Sequence, residues 1–127
     1  MTEVFEQLGE EGIAAFVSAF YQRVKSDDLV GPMYPHDDWE GSEKRLADFL
    51  IYRCGGPQRY IEERGHPRLR MRHAPFAVGV AERDRWLAMM NEALTECAIP
   101  SPSRELLDSF FAQTADFMRN QPDDADL

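Results

Sequence analysis

A chain of 127 residues, 43% of them hydrophobic, is long enough for one domain with one core and room for a ligand. Its 14 basic and 23 acidic side chains leave a net charge of −9, which argues against nucleic acid and anionic membranes as partners. No apolar run approaches the length of a membrane span and the N-terminus lacks a basic-plus-apolar leader, so the chain reads as cytoplasmic.

Hydrophobic periodicity is helical almost throughout. After a short helix at the start, Ile13, Phe16, Val17, Phe20, Tyr21 and Val24 follow the spacing of one helix face. Asp27 to Asp38 holds Gly31, Pro32 and Pro35 and reads as a corner with at most one helical turn. Leu46, Phe49 and Leu50 mark a second helix from about Gly41 to Cys54, stopped by Gly55-Gly56-Pro57. A short helix is expected over Gln58 to Arg64, closed by Gly65 and Pro67. The whole stretch from Gly55 to Gly79 is otherwise irregular. A third long helix runs from near Val80 to Cys97 with Trp86, Met90, Ala93, Leu94 and Cys97 on one side. The fourth begins after Ser101 as N-cap, with Pro102 at the first helical position. Its apolar stripe is Leu106, Leu107, Phe110, Phe111, Thr114, Phe117 and Met118. The acidic tail at Asp123, Asp124 and Asp126 is expected to be solvated and frayed. Residues 1–127 thus read as a single all-α domain. Cys54 and Cys97 form no C-x-x-C pair, which makes zinc and dithiol redox chemistry poor readings and buried thiols on helices the better one.

The stretch from Arg64 to Phe76 puts a cluster of arginines and two histidines, His66 and His73, into an otherwise acidic protein. Imidazole is the common axial ligand of haem iron, and the two haem carboxylates call for arginine at a pocket edge. Arg68, Arg70 and Arg72 precede His73 at alternate positions; they could equally pair with surface carboxylates. His66 is the rival ligand, but Gly65 and Pro67 flank it and suit it to a turn, and His36 follows Pro35 in the corner. Tyr21 ends the apolar stripe of the first long helix, so its phenol is expected to be buried and to need a partner, if only a backbone carbonyl. Tyr34 supplies a second phenol in the corner, and Trp86 an indole N–H on the inner side of the third helix.

Together these pieces resemble the truncated haemoglobins of group II, the oxygen-type subgroup. Phe20-Tyr21, the corner Leu29 to Pro35, Glu43 to Leu50, Gly55-Gly56-Pro57, the Arg64–Phe76 run and Arg83-Asp84 with Trp86-Leu87 occur in the family's order. The resemblance implies a two-over-two helical sandwich around haem b, with His73 as the iron ligand. It implies that Tyr21, Tyr34 and Trp86 form the polar cluster on the ligand side. Ser42 falls where many globins carry a distal histidine, so a small residue takes that place. Leu46 and Phe49 match the apolar wall, Arg45 and Arg72 positions near the propionates, and Met33, Tyr60, Leu69, Phe76, Val78 and Met90 the rest of the pocket. The implied ligands are dioxygen and other diatomics. The implied roles are oxygen binding or transport, or else redox chemistry on peroxide or nitric oxide with a separate reductase. The protein would act as a monomer or homodimer. A haem sensor lacks room for an output domain, and a cofactor-free interaction module leaves the Arg64–Phe76 run without a purpose.

Overall fold

The structure is a computed structural model that describes residues 1–68 and 76–120. Every regular element among the described residues is helical: α1 (Thr2–Val24), α2 (Trp39–Arg53), α3 (Arg59–Arg64), α4 (Val80–Glu96) and α5 (Ser103–Phe117), with a 3-10 turn at Gly31–Met33. The expected short leading helix and first long helix run together as α1, and Gly9 marks their junction. Its φ of 67° and ψ of −177° break the helical ladder there, a conformation glycine adopts at little cost.

The helix α2 starts where Asp38 accepts the Gly41 N–H at 3.2 Å. It ends at Gly55, whose φ of +89° turns the chain out of the helix, and at Gly56, which packs against Phe5 and Ile51. The six residues of α3 are too few to hold a helix alone. Tyr60 anchors them, its ring 5.4 Å from that of Phe49. Ion pairs complete the attachment: Lys44 bridges Asp48 at 2.8 Å and Glu63 at 3.0 Å, and Arg59 reaches Glu10 and Asp48.

α1 and α2 pack as one pair and α4 and α5 as the other, and α1 lies against both members of the second pair. The result is a two-over-two helical sandwich. Ile13, Phe16, Val17, Phe20 and Val24 of α1 are fully buried against Leu50, Met90, Leu94 and Leu107 from the other three long helices. Burying each such side chain contributes roughly 1.5–3 kcal/mol.

Two expectations for the last helix are corrected. Ser101 is not its N-cap: the helix begins at Ser103, with Pro102 as the cap residue. The Ser101 hydroxyl instead bonds Glu105 at 2.5 Å, while Gln7 of α1 accepts the Ser103 N–H at 3.2 Å and its hydroxyl. An acceptor from another helix therefore does the work of a capping side chain. The apolar stripe also excludes Phe117, which is 59% exposed. Leu107, Phe111 and Ala115 make the buried row, and Phe117 lies well round the helix from it. Cys54 and Cys97 each follow the last residue of a helix; Cys54 is buried, but Cys97 only partly so.

Candidate functional site

Between the two helix pairs lies a cavity of about 330 Å³, within the range of pockets that enclose small molecules and cofactors. Tyr21 of α1 and Val30, Met33 and Tyr34 of the corner line it, with Ser42, Arg45, Leu46 and Phe49 of α2, Tyr60 of α3, and Trp86 of α4.

The polar groups gather at one side. Burial forces the Tyr21 hydroxyl to find a partner, and it donates to the Ser42 backbone carbonyl at 3.2 Å. The Tyr21 and Tyr34 rings meet edge to face, their centroids 5.6 Å apart, and Trp39 stacks on Tyr34 at 5.8 Å. The Trp86 indole N–H donates to the Tyr34 hydroxyl oxygen at 3.3 Å. Phe20 backs the indole, with the ring centroids 4.8 Å apart. Burial pushes the Tyr21 phenol well above its ordinary pKa, and the Tyr34 hydroxyl beside it adds to the shift. Burial likewise raises Tyr34, partly offset by the Trp86 N–H on its oxygen and by the neighbouring Tyr21 hydroxyl. Both phenols therefore stay protonated and serve as donors at any physiological pH.

The corner that delivers Tyr34 is built locally. Asp27 accepts the backbone N–H groups of Leu29 at 3.1 Å and Val30 at 2.8 Å. The Val30 and Gly31 carbonyls then take the N–H groups of Met33 and Tyr34 at 3.0 and 3.1 Å, closing the 3-10 turn. Burial alone would raise the Asp27 pKa, but the bonds from Val30, Arg85 and Leu29 prevail and hold it below the usual carboxylate range.

Cations border the cavity at Arg45, Arg64 and Arg83. Arg45 donates to Asp38 at 3.1 Å and to the Ser42 hydroxyl at 3.2 Å, so an incoming carboxylate would exchange with Asp38. Arg83 meets Asp116 at 2.6 Å. At the far edge, Phe76 and Val78 also line the cavity, and Asn120 clamps them: its side chain donates to the Phe76 carbonyl at 2.7 Å and accepts the Val78 N–H at 2.8 Å, while its own N–H donates to the Val78 carbonyl at 2.8 Å.

The cavity thus brings together Tyr21, Met33, Tyr34, Ser42, Arg45, Leu46, Phe49, Tyr60, Phe76, Val78 and Trp86 of the residues singled out from sequence. Met90 is not among its lining residues; it is 1% exposed in the core. His73, Leu69 and Arg72 lie outside the described residues. His36 is exposed beside the Trp39 ring and His66 is exposed, and neither lines the cavity. Sequence reasoning missed the contribution of α5, where the half-buried Phe110, Thr114 and Met118 close the cavity together with the buried Phe111 and Ala115. Their four-residue spacing was legible, but the period does not say whether a helix face meets core or cavity. Asn120 carries no pattern that would have singled it out.

A flat apolar cofactor bearing carboxylates suits this donor set: aliphatic and aromatic walls, arginines at the border, and neutral hydrogen-bond donors on one side. Two helix pairs enclosing such a slot define a globin. The comparisons with known proteins agree. The family model for bacterial-like globins matches residues 3–120. The group 2 truncated haemoglobin YjbI of Bacillus subtilis (strain 168) is 38% identical over 122 residues, which are 96% of this chain and 92% of that protein. The haemoglobin of the thermophilic phototrophic bacterium Chloroflexus aurantiacus superposes with a TM-score of 0.89 at 42% identity, over 93% of this chain and 98% of that one. The truncated oxygen-avid haemoglobin of Bacillus subtilis gives 0.87 at 37% identity, over 92% and 98%. The chain belongs to the truncated haemoglobins of group II. Membership carries haem-based ligand binding.

Proposed function

We propose that this protein binds dioxygen reversibly on haem b, with His73 as the protein ligand to the iron and Tyr21, Tyr34 and Trp86 as the groups that select the ligand. The convergence of those three side chains on one side of the cavity carries the reading. Haem iron supplies the coordination position that a diatomic molecule occupies. The chain supplies the rest.

Tyr34 is the pivot. Its oxygen accepts the Trp86 N–H, while Tyr21 gives its proton to the Ser42 carbonyl. The Tyr34 proton remains to be donated to a polar diatomic in the cavity. A neutral donor in an apolar, dry pocket is worth more than one in water, because nothing competes for its partner. A polar ligand such as dioxygen gains from it; carbon monoxide, which carries less charge, gains little. With Ser42 in place of a large side chain on α2, nothing bulky must swing aside for the ligand to enter. Arg45 on the border would hold a propionate, a role the resemblance gives also to Arg72, and Leu46 and Phe49 would pack against the macrocycle.

Absorption spectra of the ferrous protein, with and without oxygen and carbon monoxide, test the reading. His73→Ala should lose the haem or bind it loosely, and His66→Ala and His36→Ala should keep it. A normal haem spectrum in His73→Ala, with loss in His66→Ala, contradicts the ligand assignment.

A further inference from the structure

The contact between Trp86 and Tyr34 is one side of a closed ring of interactions, and the other side is an ion pair that does not line the cavity. Asp27 has only 9% of its side chain exposed, and its two oxygens serve different elements. Oδ2 takes the N–H groups of Leu29 and Val30 and so fixes the start of the corner. Oδ1 takes the Arg85 guanidinium at 2.5 Å. Arg85 is the residue before Trp86 on α4, so the carboxylate binds the helical turn that carries the indole.

The stretch between Asp27 and Tyr34 has little freedom to absorb a displacement. The 3-10 turn is closed by the Val30 and Gly31 carbonyls, and at Gly31 a Cβ would stand 2.8 Å from the Val24 carbonyl oxygen, so the corner presses on the end of α1. The ring therefore runs from Asp27 through a stiff turn to Tyr34, across the hydrogen bond to Trp86, one residue back to Arg85, and home to Asp27. An exposed ion pair between two flexible side chains would position nothing. Here one partner is immobilised by the backbone, and Arg85 docks on a fixed carboxylate.

We propose that Asp27 is a positioning residue: through Arg85 and the 3-10 turn it holds the Trp86 indole N–H on the Tyr34 oxygen, and thereby sets how strongly the pocket favours dioxygen over carbon monoxide. The consequence for ligands rests on the function proposed above; the placement of the indole does not.

The test uses the haem-loaded protein with Asp27→Asn, which retains an acceptor for the Leu29 and Val30 N–H groups but loses the buried, nearer charge on Arg85 and leaves it only the exposed Asp28 at 3.6 Å. Arg85→Ala leaves those backbone contacts in place and keeps the test open should Asp27→Asn misfold. Either substitution should speed oxygen release by roughly three- to five-fold and leave carbon monoxide release within about two-fold. In the diamagnetic carbon monoxide form, the Trp86 indole N–H proton resonance should move upfield as its hydrogen bond lengthens. The double variant should match the single ones, and Asp27→Asn should add nothing in a Trp86→Phe background, because all act through one contact. A lower melting temperature with unchanged oxygen-to-carbon-monoxide ratio and unmoved indole resonance overturns the proposal and leaves Asp27 a structural cap. If Trp86→Phe itself leaves oxygen release unaltered, the ligand role of the cluster fails, and the indole resonance of Asp27→Asn still decides the positioning.

Discussion

Tyr21 is buried and Tyr34 half-buried beside one cavity, and their hydroxyls stand differently. The Tyr21 proton is committed to the Ser42 carbonyl, whereas the Tyr34 oxygen is already an acceptor for Trp86. Tyr34→Phe removes the donor proposed to face the ligand and also orphans the indole N–H. Tyr21→Phe removes a bond to the backbone and an edge-to-face ring partner's hydroxyl. Stopped-flow oxygen displacement should therefore find the larger acceleration in Tyr34→Phe, about ten-fold for a hydrogen bond of roughly 1.4 kcal/mol, and a smaller one in Tyr21→Phe. From sequence, both were nominated only as donors; their division of labour depends on the Ser42 carbonyl, and a backbone group leaves no trace in a residue pattern. Asp27 makes a pH prediction at the same scale. Its folded pKa is lowered, so its contribution to stability is present above the ordinary aspartate range and is lost as the pH falls through the folded value. The melting-temperature gap between the wild type and Asp27→Asn should hold steady from pH 7 to about pH 5 and close below about pH 4.

Helix boundaries were legible wherever the chain itself carries the stop. Gly55-Gly56-Pro57 ends α2 because Gly55 takes a positive φ and because Gly56 must be small. A Cβ at Gly56 would lie 2.6 Å from Phe5 Cε2 and 2.8 Å from Ile51 Cγ2, so Gly56→Ala should destabilise the protein by about 1–3 kcal/mol, read as a drop in melting temperature. The start of α5 was misplaced because its acceptor, Gln7, is remote in sequence and a local capping rule cannot see it. The clamp at Asn120 is equally non-local. It ties Phe76 and Val78 to the end of α5, and those residues follow closely on the segment that holds His73. Asn120→Ala should consequently speed haem loss to an acceptor apoprotein while leaving the ratio of oxygen to carbon monoxide release unchanged. A shift in that ratio would mean the clamp acts on the donor cluster as well.

Across the whole molecule, the hydrophobic pattern was enough to order the helices, but it could not separate core from cavity. Leu107 lies in the core, Phe110, Thr114 and Met118 face the slot, and the buried Phe111 and Ala115 belong to both, although each row repeats every four residues. Met90, assigned to the pocket by the resemblance, packs in the core between α1 and α4 and is not among the residues lining the cavity. Charge acts at this scale too. A protein of net charge −9 must accommodate an anionic cofactor, and Arg45 is already shared with Asp38. Replacing Arg45 and Arg72 together by Ala should speed haem transfer to an acceptor; an unchanged rate would locate the propionates away from both.

Ligand selection in this pocket rests on donors that distinguish a polar diatomic from a less polar one, and paired release rates of oxygen and carbon monoxide from ferrous wild type and Trp86→Phe test it most directly. Losing the indole N–H should release oxygen roughly ten-fold faster and carbon monoxide at nearly the wild-type rate. Equal acceleration of both gases would mean that Trp86 works by filling space, and would contradict hydrogen-bond selection in this pocket.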